Sequence, residues 1–157
     1  GSGPMINEAL RAREILKTYD ISADVWSVTS YQQLRNEALE CEHYNLFHPD
    51  QPTRVPYITQ ALSGVEGPFI AVSDFMKLLA DFISRWVPGT FLPLGTEGFG
   101  ISDTRTALRR HFEIDAESIV CGTLEALRRE GQVDAKLQLK VMRELGISSD
   151  KLDPMSI

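Results

Sequence analysis

The stretch GPFIAVSDFMKLLADFISRWV, residues 67–87, decides the fold class of this chain. Its first part, GPFIAVSD (67–74), is a continuous apolar run between Gly-Pro and Ser-Asp, which is typical of a parallel strand buried on both faces. The second part has apolar residues at the 3.6-residue period of a helix, and Ser73 or Asp74 can cap it. The apolar stripe consists of Phe75, Leu79, Phe82 and Trp86. We therefore expect a strand over 67–73 and a helix over 75–87.

Downstream, TFLPLGT predicts a second strand over 90–95, and Pro93 favours a position near the edge of the sheet. Three helices are expected after it, over 104–112, 116–130 and 135–145. Each follows an aspartate that can cap it, namely Asp103, Asp115 and Asp134. Gly146 ends the last of them.

Upstream, the spacing of apolar residues predicts a helix over 5–19. DVWSVTS (24–30) reads as a strand with apolar residues on both faces, and 31–46 as a helix. A short helix is expected between Pro56 and Gly64. Strands alternating with helices predict a three-layer α/β/α fold, in one domain over 1–157. The first helix has a broad apolar face but no strand before it.

The composition argues against several kinds of partner and cellular location. The net charge of −6 and the pI of about 5.1 argue against a nucleic-acid partner. The sequence has no apolar run long enough to span a bilayer and no signal-peptide pattern, so we expect no membrane association. Cys41 and Cys121 form no CxxC pair, which suits reduced thiols in the cytoplasm.

Motifs that carry chemistry are missing from the sequence. GxxxxGK[ST] and G-x-S-x-G do not occur, and GSGPMI fails the GxGxxG pattern because Ile6 replaces the third glycine. The three histidines have no metal-ligand partners at suitable spacing. We therefore predict no catalytic, cofactor-binding or metal-binding residues in this chain.

The segment LGTEGFGISDTRTALRRHFEID (94–115) is the most distinctive one. Phe99 stands in a glycine loop at a strand end, where it can contact a partner or fold back over the core in a tight turn. Arg105 and Arg109 share one helix face, which is either a binding site for an acidic partner or a solvated face. Lys77 is expected near the start of a helix, where the helix dipole disfavours a cation, so we expect a carboxylate partner for it. The interface candidates are Lys77, Thr96, Phe99, Asp103, Arg105, Arg109 and His111.

This segment resembles a known family. RVPYITQ (54–60), SDFMKLLADFISRWVP (73–88) and residues 94–115, in this order, resemble the C-terminal part of the homodimeric bacterial pyruvate dehydrogenase first component, which depends on thiamine diphosphate. SADVWSVTSYQQL and CEHYNLFHP follow the same pattern, so the resemblance covers nearly the whole chain. The departures are mild: Glu97 stands where the family usually has Asp, Phe75 where it has Tyr, and Ile101 where Arg is common.

The resemblance implies a transketolase C-terminal-like domain with a mixed, mostly parallel five-stranded sheet. GSGPM could be the remnant of a cleaved tag, but in the family Gly-Ser-Gly follows a short apolar strand. The chain is therefore expected to be a fragment of a larger enzyme whose first strand is missing. The implied partners are its own N-terminal and middle domains and the homodimer partner, with the dihydrolipoyl acetyltransferase core as a further one.

The family binds thiamine diphosphate and Mg²⁺ through a Gly-Asp-Gly motif that this sequence lacks. The resemblance thus implies both cofactors in the parent enzyme and neither in this fragment, which is expected to be non-catalytic. An alternative without the family is a flavodoxin-like domain that binds a small ligand at the strand ends near 95–100. A concave pocket at that loop would favour the ligand domain, and an exposed apolar patch would favour an interface.

Overall fold

The computed structural model describes residues 1–156, and within them the chain forms two strands and seven α-helices. In chain order the elements are α1 (Met5–Lys17), α2 (Tyr31–Phe47), α3 (Tyr57–Ala61), β1 (Phe69–Val72), α4 (Lys77–Asp81), a 3-10 turn (Ser84–Trp86), β2 (Phe91–Leu94), α5 (Arg105–His111), α6 (Ala116–Arg129), α7 (Ala135–Glu144) and a 3-10 turn (Pro154–Ser156).

The two strands are parallel, as expected. Phe69 lies opposite Phe91, and Val72 lies opposite Leu94. The backbone N–H and C=O groups of successive strand residues point to opposite edges. Since Thr90 O accepts from Phe69 N, the backbone groups of Thr90 and Leu92 face β1, and those of Pro93 face the other edge of β2. No strand pairs with that edge of β2 within residues 1–156, so the expected edge position of Pro93 is confirmed there.

The sheet separates two layers of helices. Val72 and Ile70 belong to the core that includes residues of α1, α6 and α7. Ala71 and Phe69 point to the opposite face and pack in the core that includes residues of α2, α3 and α4. The three-layer α/β/α architecture is therefore confirmed.

The strand expected over 24–30 is wrong. Only Val28 forms a bridge, in parallel with Ser2, and residues 22–27 have no regular structure. A strand needs a neighbour along its length, and here the backbone bonds run only to Gly1: Gly1 N donates to Trp26 O at 2.8 Å and Val28 N to Gly1 O at 3.0 Å. The β-branched segment 24–30 has too little backbone to pair with among the described residues, so it does not form a strand there.

Gly1 and Ser2 occupy a strand position between Val28 and β1. Ser2 N donates to Val72 O at 3.1 Å, on the edge of β1 that faces away from β2. Ile70 faces the same edge and meets no backbone partner among residues 1–156. Across the sheet the chain therefore runs in the order Val28, Gly1–Ser2, β1, β2.

The helix expected over 75–87 is also wrong at both ends, because α4 covers only Lys77–Asp81 and a separate 3-10 turn follows at Ser84–Trp86. Phe75 O accepts from Thr96 N at 2.9 Å, so it is not available for a helical bond, and Phe75 is exposed. Glu97 Oε1 instead accepts from Lys77 N at 2.7 Å, where α4 begins. The contact between the two loops thus decides where the helix starts, and α4 is only five residues long.

The helices after β2 agree closely with the sequence. Asp115 and Asp134 cap α6 and α7 as expected, accepting from Ser118 N at 2.9 Å and from Leu137 N at 2.8 Å. α5 is capped by Thr104 rather than Asp103, whose carboxylate accepts from Thr104 N instead. Both Asp103 and Thr104 are residue types that can cap a helix, and in the structure the second one does so.

The edge of β1 gives the first prediction. Joining about eight apolar, β-branched residues ahead of Gly1 extends the strand position beside Ile70 and buries more of α1, since a strand of that length is typical. We expect a higher melting temperature and less self-association than for the 157-residue chain, measured by thermal melts and sedimentation at matched concentration. A Gly-Ser extension of equal length is the control. Equal melting temperatures for both extensions, with a monomeric short chain, would contradict this expectation.

The buried hydroxyl of Tyr31 gives the second prediction. This hydroxyl has no hydrogen-bond partner in the described structure, and burial raises the pKa of Tyr31 to about 12. Tyr31→Phe removes an unsatisfied polar group, so we expect the free energy of unfolding to rise by about 1 kcal/mol. Urea denaturation measures it, with Tyr57→Phe at an exposed tyrosine as the neutral control. A clear loss of stability for Tyr31→Phe would show that the hydroxyl is bonded in solution.

Candidate interaction surface

Three loops meet at the carboxyl ends of β1 and β2, and we call the surface they form, residues 74–78, 96–105 and 152–155, the carboxyl-edge surface. The first two are held together by the bond from Thr96 N to Phe75 O and by Glu97 on the Lys77 amide. Thr96 Oγ1 also donates to Asp74 O at 3.3 Å. These bonds fix the two loops against each other where they begin, at 74–77 and 96–97.

Two glycines allow this close approach. A Cβ on Gly95 would lie 2.5 Å from Phe75 O, inside the backbone of the first loop. A Cβ on Gly98 would lie 2.3 Å from Pro154 O, and Gly98 has a φ of 87° that side chains rarely adopt. The glycine loop thus lies directly against both of its neighbours.

The third loop is preceded by a lysine, Lys151, that binds the end of α5. Lys151 Nζ donates to Arg110 O at 2.7 Å and to His111 O at 2.9 Å, and it pairs with Glu113 at 3.1 Å. These carbonyls carry the negative end of the helix dipole, where a cation is favourable. These bonds therefore tie the C-terminal segment to the end of α5.

Large apolar side chains project from all three loops. Phe99 is 84% exposed, so the tight turn with Phe99 over the core is not what forms. The other exposed ones on this surface are Phe75, Met76, Leu78, Ile101, Leu152 and Met155. Exposed apolar residues gathered on one surface in this way are typical of a contact region.

The candidate residues from the sequence lie at different places around this surface. Phe99, Asp103 and Arg105 are exposed on it, and Thr96 is half-buried in the loop contact. The ammonium of Lys77 has no ion pair within residues 1–156. The carboxylate partner expected for the Lys77 cation is therefore not found there, and Glu97 accepts from the Lys77 backbone amide instead.

Arg109 and His111 are half-buried. Arg109 Nη1 donates to Glu8 Oε1 at 2.7 Å, and its side chain is only 19% exposed. The His111 ring packs edge-on against Phe112, with ring centroids 4.7 Å apart. Of the two arginines on this helix face, only Arg105 is free to meet a partner.

Glu8 is the functional-looking residue that the sequence reasoning missed. Its carboxylate is buried in the protein and accepts from Arg109, from Arg11 Nη1 at 2.8 Å and from Ala116 N at 3.0 Å. The signal was available, because Glu8 lies three residues after buried Met5 and four before buried Ala12. A carboxylate in the buried stripe of a helix requires cations around it.

A cleft of about 360 Å³ lies beside the carboxyl-edge surface. It is bordered by Thr96, Asp74 and Arg105, and its floor is apolar. The residues of the floor and walls include Pro4, Met5, Leu108, Arg109, Phe112 and Ile114. It touches the 95–100 loop only at Thr96, so it is a separate feature from the exposed Phe99.

A larger and more open depression of about 630 Å³ lies beside Cys41, Glu37 and Arg54. Burial raises the pKa of the Cys41 thiol, with a further contribution from Glu37, and burial raises the pKa of Cys121 to about 11. Both cysteines therefore stay protonated at neutral pH and are poor nucleophiles. Within residues 1–156 no three His, Cys, Asp or Glu side chains are grouped as metal ligands.

The helices of the described part of the chain are all too short or too polar to cross a bilayer.

Comparison with known proteins places these features in a family. Residues 1–115 match the sequence profile of the transketolase-like TK C-terminal domain. The match ends at Asp115, the cap of α6, although α6 contributes the fully buried Val120 and Leu124 to the core shared with β1. The helices beyond the matched residues are thus part of the same packing unit.

Similar curated proteins carry the name pyruvate dehydrogenase E1 component. That of Mycobacterium tuberculosis is 48% identical over 93% of this chain and 16% of the relative, and that of Mycolicibacterium smegmatis 47% over the same shares. The Escherichia coli protein is 40% identical over 98% of this chain and 17% of the relative. The chain thus spans about a sixth of the length of these relatives. Since the profile covers most of the residues and the fold agrees, the chain belongs to the family of transketolase-like C-terminal domains.

Proposed function

We propose that this chain is the C-terminal domain of a pyruvate dehydrogenase decarboxylating component and that it contributes contacts rather than catalytic groups. The similarity to proteins of that name over nearly the whole chain supports the proposal. The parent enzyme would decarboxylate pyruvate oxidatively and reductively acetylate lipoyl groups in the cytoplasm. Thiamine diphosphate, with Mg²⁺, would supply the electron sink for this chemistry in the other domains.

The observation that carries the proposed role is the carboxyl-edge surface. Phe99 is 84% exposed at its centre, on a loop that is bonded to the 74–78 loop and lies against Pro154 at Gly98. A fixed apolar surface loses little conformational entropy when a partner covers it. We infer that its occupant is the remainder of the parent enzyme, made up of the other domains of this polypeptide and of its second copy, because the relatives are about six times longer than this chain.

The charges around the surface fit a partner of mixed charge. Lys77 and Arg105 are cations without an ion pair in the described residues, and Asp103 is an exposed anion two residues before Arg105. Charges at the rim of an apolar contact fix its register more than its strength. The middle domain and the second copy of the homodimer are the partners we propose for this rim. We propose that the acetyltransferase core contacts the domain elsewhere, away from the carboxyl-edge surface.

A second function, a ligand domain, is favoured by one observation. The cleft of about 360 Å³ lies at the strand ends, where α/β domains bind ligands. Yet the 95–100 loop presents the projecting Phe99 and not a pocket, which favours the interface as the main role.

Phe99 tests the proposed interface. We expect Phe99→Asp in the full-length enzyme to weaken the dimer or the packing of this domain at least tenfold, because a charge replaces a buried contact. The melting temperature of the 157-residue chain should stay unchanged, since the side chain is exposed there. Sedimentation and limited proteolysis of the full-length protein measure the first effect, and a thermal melt the second.

Phe47→Asp provides the matched control, because Phe47 is 63% exposed at the end of α2 and lies outside the carboxyl-edge surface. The proposal predicts that only the Phe99 variant loses association. Equal association of wild type and Phe99→Asp would rule out a contact at Phe99. Loss of stability in the short chain would instead show that Phe99 supports the fold.

A further inference from the structure

The order of the strand positions creates a switch point in this sheet. The chain at Gly1–Ser2 lies between Val28 and β1 and leads into α1, which packs on one face. β1 leads into α4, which packs on the other face. Where successive helices leave a parallel sheet on opposite faces, their ends part and open a crevice at the carboxyl ends of the strands.

The cleft of about 360 Å³ lies at this crevice. Pro4 and Met5, at the start of α1, form one wall, and Asp74, directly after β1, is part of the other. α5 closes the cleft with Leu108 and Phe112. The topology and the cavity thus identify the same place independently.

The start of α1 is closed to a phosphate. Met5 N donates to Ser2 O at 3.1 Å and Ile6 N to Gly3 O at 3.3 Å, and Pro4 has no N–H. The free amides with which helix N-termini bind phosphate are therefore taken. An anion in this cleft has to be bound by a side chain.

Arg105 is the side chain that can do so. It is exposed, it borders the cleft, and it has no ion pair within residues 1–156, whereas Arg109 in the same wall is neutralised by Glu8. Asp74 on the opposite side adds a negative charge, which disfavours a ligand with two charges. The floor of Met5, Leu108 and Phe112 offers apolar contact to the body of the ligand.

We propose that this cleft binds a small monocarboxylate with a short hydrocarbon chain, with the carboxylate on Arg105 and the chain on the apolar floor. The planar guanidinium fits a carboxylate with two parallel hydrogen bonds. The cleft shares Asp74, Thr96 and Arg105 with the carboxyl-edge surface but not Phe99. Ligand binding is therefore measured on the 157-residue chain and the interface on the full-length enzyme, so that either proposal can fail without the other.

Hexanoate is the probe for this site, and 1-hexanol and inorganic phosphate are its matched controls, since the first lacks the charge and the second lacks the chain. In an NMR titration of the 157-residue chain, hexanoate should saturate with a Kd of about 1 mM, as expected for a ligand of this size. The shifted amides should be those of Leu108, Phe112 and Ile114. Hexanol and phosphate should bind at least tenfold more weakly.

Variants test the role of Arg105. Arg105→Gln should weaken hexanoate binding at least tenfold, and Arg105→Lys should recover part of it. Arg143→Gln, at an exposed arginine of α7 without an ion pair in the described residues, should bind like wild type. Absence of saturable shifts with hexanoate, equal binding of phosphate, or unchanged binding in Arg105→Gln would each overturn the proposal.

Discussion

The carboxylate of Glu8 is the interaction on which the arrangement of the helices depends. It is buried on α1 and accepts hydrogen bonds from Arg109 of α5 and from the backbone of Ala116, the first residue of α6. Arg11, from α1 itself, supplies a second cation and also reaches Glu117 on α6. A buried carboxylate without such partners would be strongly unfavourable, so three helices are held in one geometry by the need to satisfy it.

This geometry sets the position of both features at the carboxyl edge. Because Arg109 is drawn inward to Glu8, the face of α5 that carries Arg105 is turned toward the cleft and the start of α1. The end of α5 in turn binds Lys151, which holds the C-terminal segment against Gly98 and leaves Phe99 exposed. One internal ion pair is therefore linked, through α5, to the surface that we propose as an interface.

Patterns with a local cause could be predicted from the sequence, and patterns that depend on distant backbone could not. The caps at Asp115 and Asp134 and the apolar run of β1 are local, and they agree with the structure. The strand predicted over 24–30 is wrong because the only backbone that pairs with it in the described residues is that of Gly1 and Ser2. The helix predicted to start at Phe75 is wrong because Phe75 O accepts from Thr96 N. At the candidate site, the exposure of Phe99 was one of two open alternatives, and the pairing of Arg109 with Glu8, 101 residues apart, was invisible to helical spacing.

A double-mutant cycle between Glu8 and Arg109 tests most directly whether this buried carboxylate organises the helices. Glu8→Gln should lower the free energy of unfolding by about 3 kcal/mol, because it leaves the Arg109 guanidinium without its counter-charge. Adding Arg109→Met should then restore at least about 1 kcal/mol of that loss, which gives a coupling energy well outside additivity. Urea denaturation of the four proteins measures both values. A loss below about 0.5 kcal/mol for Glu8→Gln, with additive effects of the two changes, would contradict the account.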